Sequence, residues 1–167
     1  MELDDFKSLL ARFAQRPVPP IASRHVYLWH GELPALQALL PSGLSVHLDL
    51  WDLAQSLPRT PLAVDEARRV LQAAIQPWLE DHAPQAGVQR VVLVTGATLL
   101  ARYHVPLNAF FNWAGEAQMF VFVLPPHETA FRPQRPLPPY VDFNSRATLD
   151  YLQTKLGDQA TIGAGMQ

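Results

Sequence analysis

Two runs of consecutive apolar residues constrain the fold of this chain more than any other feature. Residues 91–94 read Val-Val-Leu-Val, and residues 119–124 read Met-Phe-Val-Phe-Val-Leu. Neither run alternates apolar with polar residues, which is typical of strands that are buried on both faces in a parallel sheet. Because parallel neighbours require a crossover connection, we expect helices between the strands.

The segments around these runs alternate between helix and strand patterns. Helices are predicted at 3–15, 33–40, 62–82, 97–113 with an interruption near Pro106, and from Ser145 to Gly157. Strands are predicted at 24–30, 45–51, 90–95 and 119–124, with a short edge strand at 140–143. Thr60 and Pro61 are expected to start the longest helix, and Pro77 is expected to kink it or split off its last turn.

This alternation predicts a three-layer α/β fold, in which a mostly parallel sheet is covered by helices on both faces. We expect one domain over residues 1–157, and a disordered tail over residues 158–167.

The composition excludes several classes of function. The chain contains no cysteine, which rules out disulfides, thiol nucleophiles and thiolate zinc sites. The formal net charge is −2, so no overall field favours nucleic acid, and direct nucleic-acid binding is not expected. The acidic start and the lack of a ~20-residue apolar run predict a cytoplasmic protein without a membrane segment.

The turn after the first predicted strand lacks the machinery of a phosphate-binding loop. It reads His30-Gly31-Glu32-Leu33-Pro34, without the second glycine, the lysine and the hydroxyl residue that cradle phosphates and magnesium. Glu32 would repel a phosphate, and Pro34 lacks an N–H donor. Residues 8–154 contain no lysine that could substitute. The sequence therefore predicts a protein that is not an NTPase, with no cofactor and no visible catalytic residues.

A second strand end offers a candidate ligand site. Thr95, Gly96 and Thr98 lie between a buried strand and a helix, and Arg102 follows one turn later. Such a turn can bind an anion, and arginine can bind a phosphate or a partner's carboxylate. The alternatives are that Gly96 only permits a tight turn and that Arg102 is a solvated helix residue.

A metal site is a further alternative. His30, His47 and Asp49 carry side chains that suit zinc or iron, and Asp52 lies nearby in the sequence. Strand alternation places His47 and Asp49 on one face, with Trp51. Their spacing matches no known ligand motif, and an ordinary polar sheet face would explain the same residues.

A proline-rich arm is the candidate partner-binding segment. Residues 125–139 contain six prolines, and a rigid extended segment loses little entropy when it docks on a partner. The alternative is a connecting loop, although the segment is longer than most such loops. The residues expected to contact a partner are Phe131, Arg132, Arg135 and Tyr140.

The segment from Val91 to Val105, together with residues 108–111 and 119–126, resembles the C-terminal half of the small accessory proteins of BREX-type phage-defence systems. The likeness consists of an apolar strand ending in Leu-Thr or Thr-Gly, a short helix with an Arg or a Tyr-Arg pair, a second helix, and an apolar strand ending in proline. The placement of the N-terminal helix is also similar. Thr95, Gly96 and Arg102 match recurrent positions of that family.

The resemblance implies a non-catalytic subunit with a fold similar to a stripped-down NTPase core that lacks a Walker A loop. Such proteins work beside an AAA-type ATPase, an alkaline-phosphatase-like protein and a DNA methyltransferase. A related small protein of these systems retains a phosphate loop, and this chain departs from that pattern at residues 31–36. A small-ligand or nucleotide-binding module without hydrolysis is the alternative function, with a site at Thr95 to Arg102.

Overall fold

The computed structural model describes residues 1–19, 24–57, 63–82, 88–126 and 145–163. These residues form alternating helices and strands with one short 3₁₀ helix near the end. In chain order the elements are α1 (Leu3–Gln15), β1 (Val26–His30), α2 (Leu33–Gln37), β2 (Ser45–Asp49), α3 (Leu50–Gln55), α4 (Val64–Asp81), β3 (Arg90–Thr95), α5 (Thr98–Arg102), α6 (Asn108–Trp113), β4 (Gln118–Leu124), α7 (Ser145–Leu156), the 3₁₀ helix (Asp158–Ala160) and β5 (Thr161–Gly163).

The five strands form one sheet in the order β2-β3-β4-β1-β5. Every pairing is parallel, including the pairing of the two unbroken apolar runs, in which Val91 lies opposite Met119. The predicted α/β fold with a parallel sheet between helical layers is therefore confirmed.

Both faces of the inner strands are buried, which explains why their sequences do not alternate. On one face, Leu28, Val94 and Phe122 pack with side chains from α3 to α7. On the other face, Tyr27 and Leu93 pack against α1 and α2. Successive side chains of a strand point to opposite faces, so each inner strand must be apolar at every position.

The prediction that the second strand reaches Trp51 was wrong. The strand ends at Asp49, and α3 starts at Leu50. The Asp49 side chain accepts a hydrogen bond from the Trp51 backbone N–H at 3.0 Å, which caps the helix. Both Leu50 and Trp51 are buried by this change of direction. Alternation in the sequence continues through residue 51, but the cap ends the strand earlier.

The prediction of a disordered tail from residue 158 was also wrong as far as residue 163. Residues 161–163 form β5, which pairs with β1 at the edge of the sheet. Ile162 has no exposed surface, and it belongs to the core beside α1 and α2. The hydrophobic pattern of three residues is too short to signal a strand, so only pairing with β1 reveals it.

The long helix α4 continues past Pro77 to Asp81, so the predicted loss of its last turn does not occur. Pro77 and Ala73 are exposed, and the carbonyl group that loses its helical partner lies on the solvent side. The predicted helix at 33–40 is shorter and ends at Gln37. The predicted elements involving Thr60, Pro61 and residues 140–143 lie outside the described residues.

None of the helices in the described ranges combines the length and apolar character that crossing a bilayer requires.

Candidate functional site: a pocket between α5 and α7

The sheet has a point where its crossover connections change sides. The helix that follows β1, α2, packs on one face, whereas α7, the first described helix after β4, packs on the other. In open α/β sheets, ligands commonly bind in the crevice beyond the strand ends at such a point. The turn after β1 is therefore the first place to look for a phosphate site.

One backbone donor of this turn, the Gly31 N–H, is already used within the sheet. The Gly31 N–H donates to the carbonyl oxygen of Leu124 at 3.0 Å, and this bond joins the ends of β1 and β4. The Trp29 indole N–H donates to the Glu32 carbonyl at 3.1 Å, which ties the backbone of the residue after Gly31 to a side chain of β1. The helix after the turn, α2, has five residues and carries Pro34 in its first turn.

The predicted site at Thr95, Gly96, Thr98 and Arg102 is divided by the sheet. Thr95 Oγ1 lies 2.7 Å from His47 Nε2, at the end of neighbouring strand β2. The buried residues of β3 alternate between the faces, which puts Thr95 on the face of Leu93, opposite the layer that contains α5. Thr95 therefore lies apart from Thr98 and Arg102.

Gly96 is packed closely against the start of α3. Its backbone has a φ of +76°, and a Cβ atom at this position would lie 2.8 Å from Trp51 Cδ1. The buried Trp51 ring therefore packs directly against Gly96.

Thr98 and Arg102 line a pocket of about 360 Å³ between α5 and α7. The other lining residues come from the end of α5, the turn after it, and one side of α7: Ala101, His104, Ala147, Thr148 and Tyr151. Among the described residues, the lining includes one guanidinium, one imidazole, two threonine hydroxyls and one phenol.

Two buried hydroxyls form the floor of this α5–α7 pocket. Thr98 is 2% exposed and Thr148 is 1% exposed. Thr148 Oγ1 donates to Thr98 Oγ1 at 3.0 Å and thereby joins the two helices.

Tyr151 forms the side wall of the α5–α7 pocket. Its hydroxyl donates to the Val105 carbonyl at 2.5 Å, and its ring lies edge-on to His104 at a centroid distance of 6.3 Å. Lys155 Nζ lies 5.7 Å from the ring centroid. Burial raises the pKa of Tyr151, and the positive charge of Arg68 opposes this effect.

The turn that presents His104 has an uncommon backbone conformation. His104 has a φ of +52°, and no other non-glycine residue in the described ranges has a positive φ. Histidine tolerates this region better than most residues. The Arg68 Nε–H donates to the Tyr103 carbonyl at 2.7 Å, which holds the turn against α4. The imidazole of His104 is consequently exposed at the rim of the pocket.

The residues of the metal alternative are not brought together. His30 and His47 lie on β1 and β2, which are separated by β3 and β4, a distance of about 14 Å at the usual strand spacing. Asp49 uses one carboxylate oxygen to cap α3. Across the described ranges, no three histidine or acidic side chains form a group that could hold a metal ion.

The sequence analysis did not identify Thr148 and Tyr151 as site residues. Thr148 and Tyr151 lie about one turn apart on α7, and their only signal in the sequence is one polar and one aromatic position among leucines. Their distance from Thr98 along the chain hides the shared pocket. Phe131, Arg132, Arg135 and Tyr140 all lie outside the described residues.

Comparison of the chain with protein-family models found none that matches. A comparison with curated proteins likewise found no match.

Proposed function

We propose that the protein is a non-catalytic accessory subunit of a bacterial anti-phage defence complex of the BREX type. The observation that carries the non-catalytic part is the turn after β1, where the Gly31 N–H donates to Leu124 instead of facing an open crevice. Glu32 and Pro34 follow where a phosphate loop needs donors and positive charge. A subunit without this machinery acts through contacts with partners.

The strand order supports a degenerate NTPase-like core. Read from the other edge, the order of the parallel strands is β5-β1-β4-β3-β2, which places β1 inside an open α/β sheet with a crevice at its strand ends. Likeness of fold is an analogy and does not specify an activity. It does agree with the stripped-down NTPase core that the resemblance implies.

We propose that the partners are an AAA-type ATPase, a phosphatase-like protein or a DNA methyltransferase, in the cytoplasm and without direct nucleic-acid contact. The interface would combine Arg102 at the end of α5 with the arm residues Phe131, Arg132, Arg135 and Tyr140. Arginine and aromatic residues are enriched in protein interfaces, which favours this assignment.

Affinity purification of the tagged protein from its own host, followed by mass spectrometry, tests this function. We expect an ATPase, a phosphatase-like protein or a methyltransferase to co-elute in near-stoichiometric amounts. A protein that elutes alone would contradict the defence-complex proposal.

A matched set of variants then tests the interface. We expect simultaneous replacement of Arg102, Arg132 and Arg135 by Ala to abolish co-elution. The control replaces three other exposed arginines, Arg12, Arg16 and Arg69, by Ala and should retain the partner. Unchanged co-elution of the first variant would rule out this interface.

The α5–α7 pocket favours a second candidate function, the binding of a small ligand or nucleotide without hydrolysis. Its volume of about 360 Å³ is within the usual range for small-ligand sites, and it contains Thr98 and Arg102 of the predicted set. A ligand present at 100 times its Kd should raise the free energy of unfolding by about 2.7 kcal/mol. Thermal-shift titration measures this, and no shift with any nucleotide would exclude a nucleotide ligand.

A further inference from the structure

We draw no further inference here: the strongest candidate, the buried amide of Gln118 beside Arg90 at the amino ends of β3 and β4, has a side-chain oxygen without a hydrogen-bond partner, but that oxygen is closed to solvent and nothing in the described part of the chain shows what ligand or partner would reach it.

Discussion

Gly96 lies so close to Trp51 that a Cβ atom on Gly96 would be 2.8 Å from Trp51 Cδ1 and 3.1 Å from the Trp51 backbone nitrogen. The turn after β3 and the start of α3 are thus packed against each other without space for a side chain. Trp51 is 5% exposed and is held in the core, so it cannot move away cheaply.

We therefore expect Gly96→Ala to lower the free energy of unfolding by about 2–4 kcal/mol, from backbone strain and overlap together. Gly43→Ala is the matched control, because Gly43 has a similar φ of +81° but no atom within 4 Å of a new Cβ. It should lose only about 1–2 kcal/mol, the cost of the left-handed conformation. Urea denaturation measures both values, and equal losses would show that the contact with Trp51 does not matter.

A buried histidine should make stability depend on pH. His25 has no exposed surface; its Nε2 lies 2.5 Å from the Val18 carbonyl and its Nδ1 lies 2.8 Å from the Tyr27 hydroxyl. Neutral His25 satisfies both, because Nε2–H donates to Val18 and Nδ1 accepts from Tyr27. Burial lowers the pKa of His25, although the bond to Val18 and the charge of Glu116 oppose this.

Because the pKa of His25 is lower in the folded state, His25 becomes protonated at a higher pH in the unfolded chain than in the folded protein. Its contribution to stability is present above a pH of about 6.5 and is lost as the pH falls through the folded-state pKa. We expect urea denaturation to show a decrease in stability below pH 6.5 that is smaller in His25→Gln. The control, His47→Gln, removes an exposed histidine. Equal pH dependence of wild type and His25→Gln would contradict the assignment.

The two threonines of the pocket should be energetically coupled in the ligand-free protein. Thr98→Val removes the acceptor of the Thr148 hydroxyl, and we expect a loss of about 1–3 kcal/mol. The double variant with Thr148→Val should lose less than the sum of the two single losses, because it removes both hydroxyls of the shared bond. A double-mutant cycle by urea denaturation measures the coupling. Strictly additive losses would mean that the 3.0 Å contact contributes nothing to stability.

Ile162 should be required for stability despite its position near the end of the chain. It is fully buried in β5, so Ile162→Ala should lower the free energy of unfolding by about 2–5 kcal/mol. Gln159→Ala changes an exposed residue of the preceding 3₁₀ helix and should stay within about 0.5 kcal/mol of wild type. Thermal denaturation of both variants tests this, and similar midpoints would show that β5 adds little to the fold.

The sequence predicted the boundaries of several elements correctly because their signals are local. The strand at 90–95 and the helix at 3–15 have the predicted boundaries, and Gly157 follows α7 as expected. The errors at Trp51 and in the tail have a different origin. In the first, a side-chain cap ends the strand, and in the second, a three-residue segment becomes a strand only beside β1.

The candidate site was predicted only in part, because only some of its residues lie close together in the sequence. Thr98 and Arg102 lie one turn apart on α5, so a local pattern identifies both. Thr148 and Tyr151 reach them only through packing of α7, and Thr95 is separated from them by the sheet itself. The pattern of apolar residues within one segment does not show which residues of distant segments lie together.

The sequence by itself determined the parallel α/β class, the inner strands and the absence of a phosphate loop, because apolar periodicity and the lack of particular residues are readable locally. Only the tertiary structure decided the strand order, the pairing of β5 with β1 and the joining of α5 to α7. These features depend on which distant apolar surfaces pack together, and many sequence-compatible arrangements share the same local pattern.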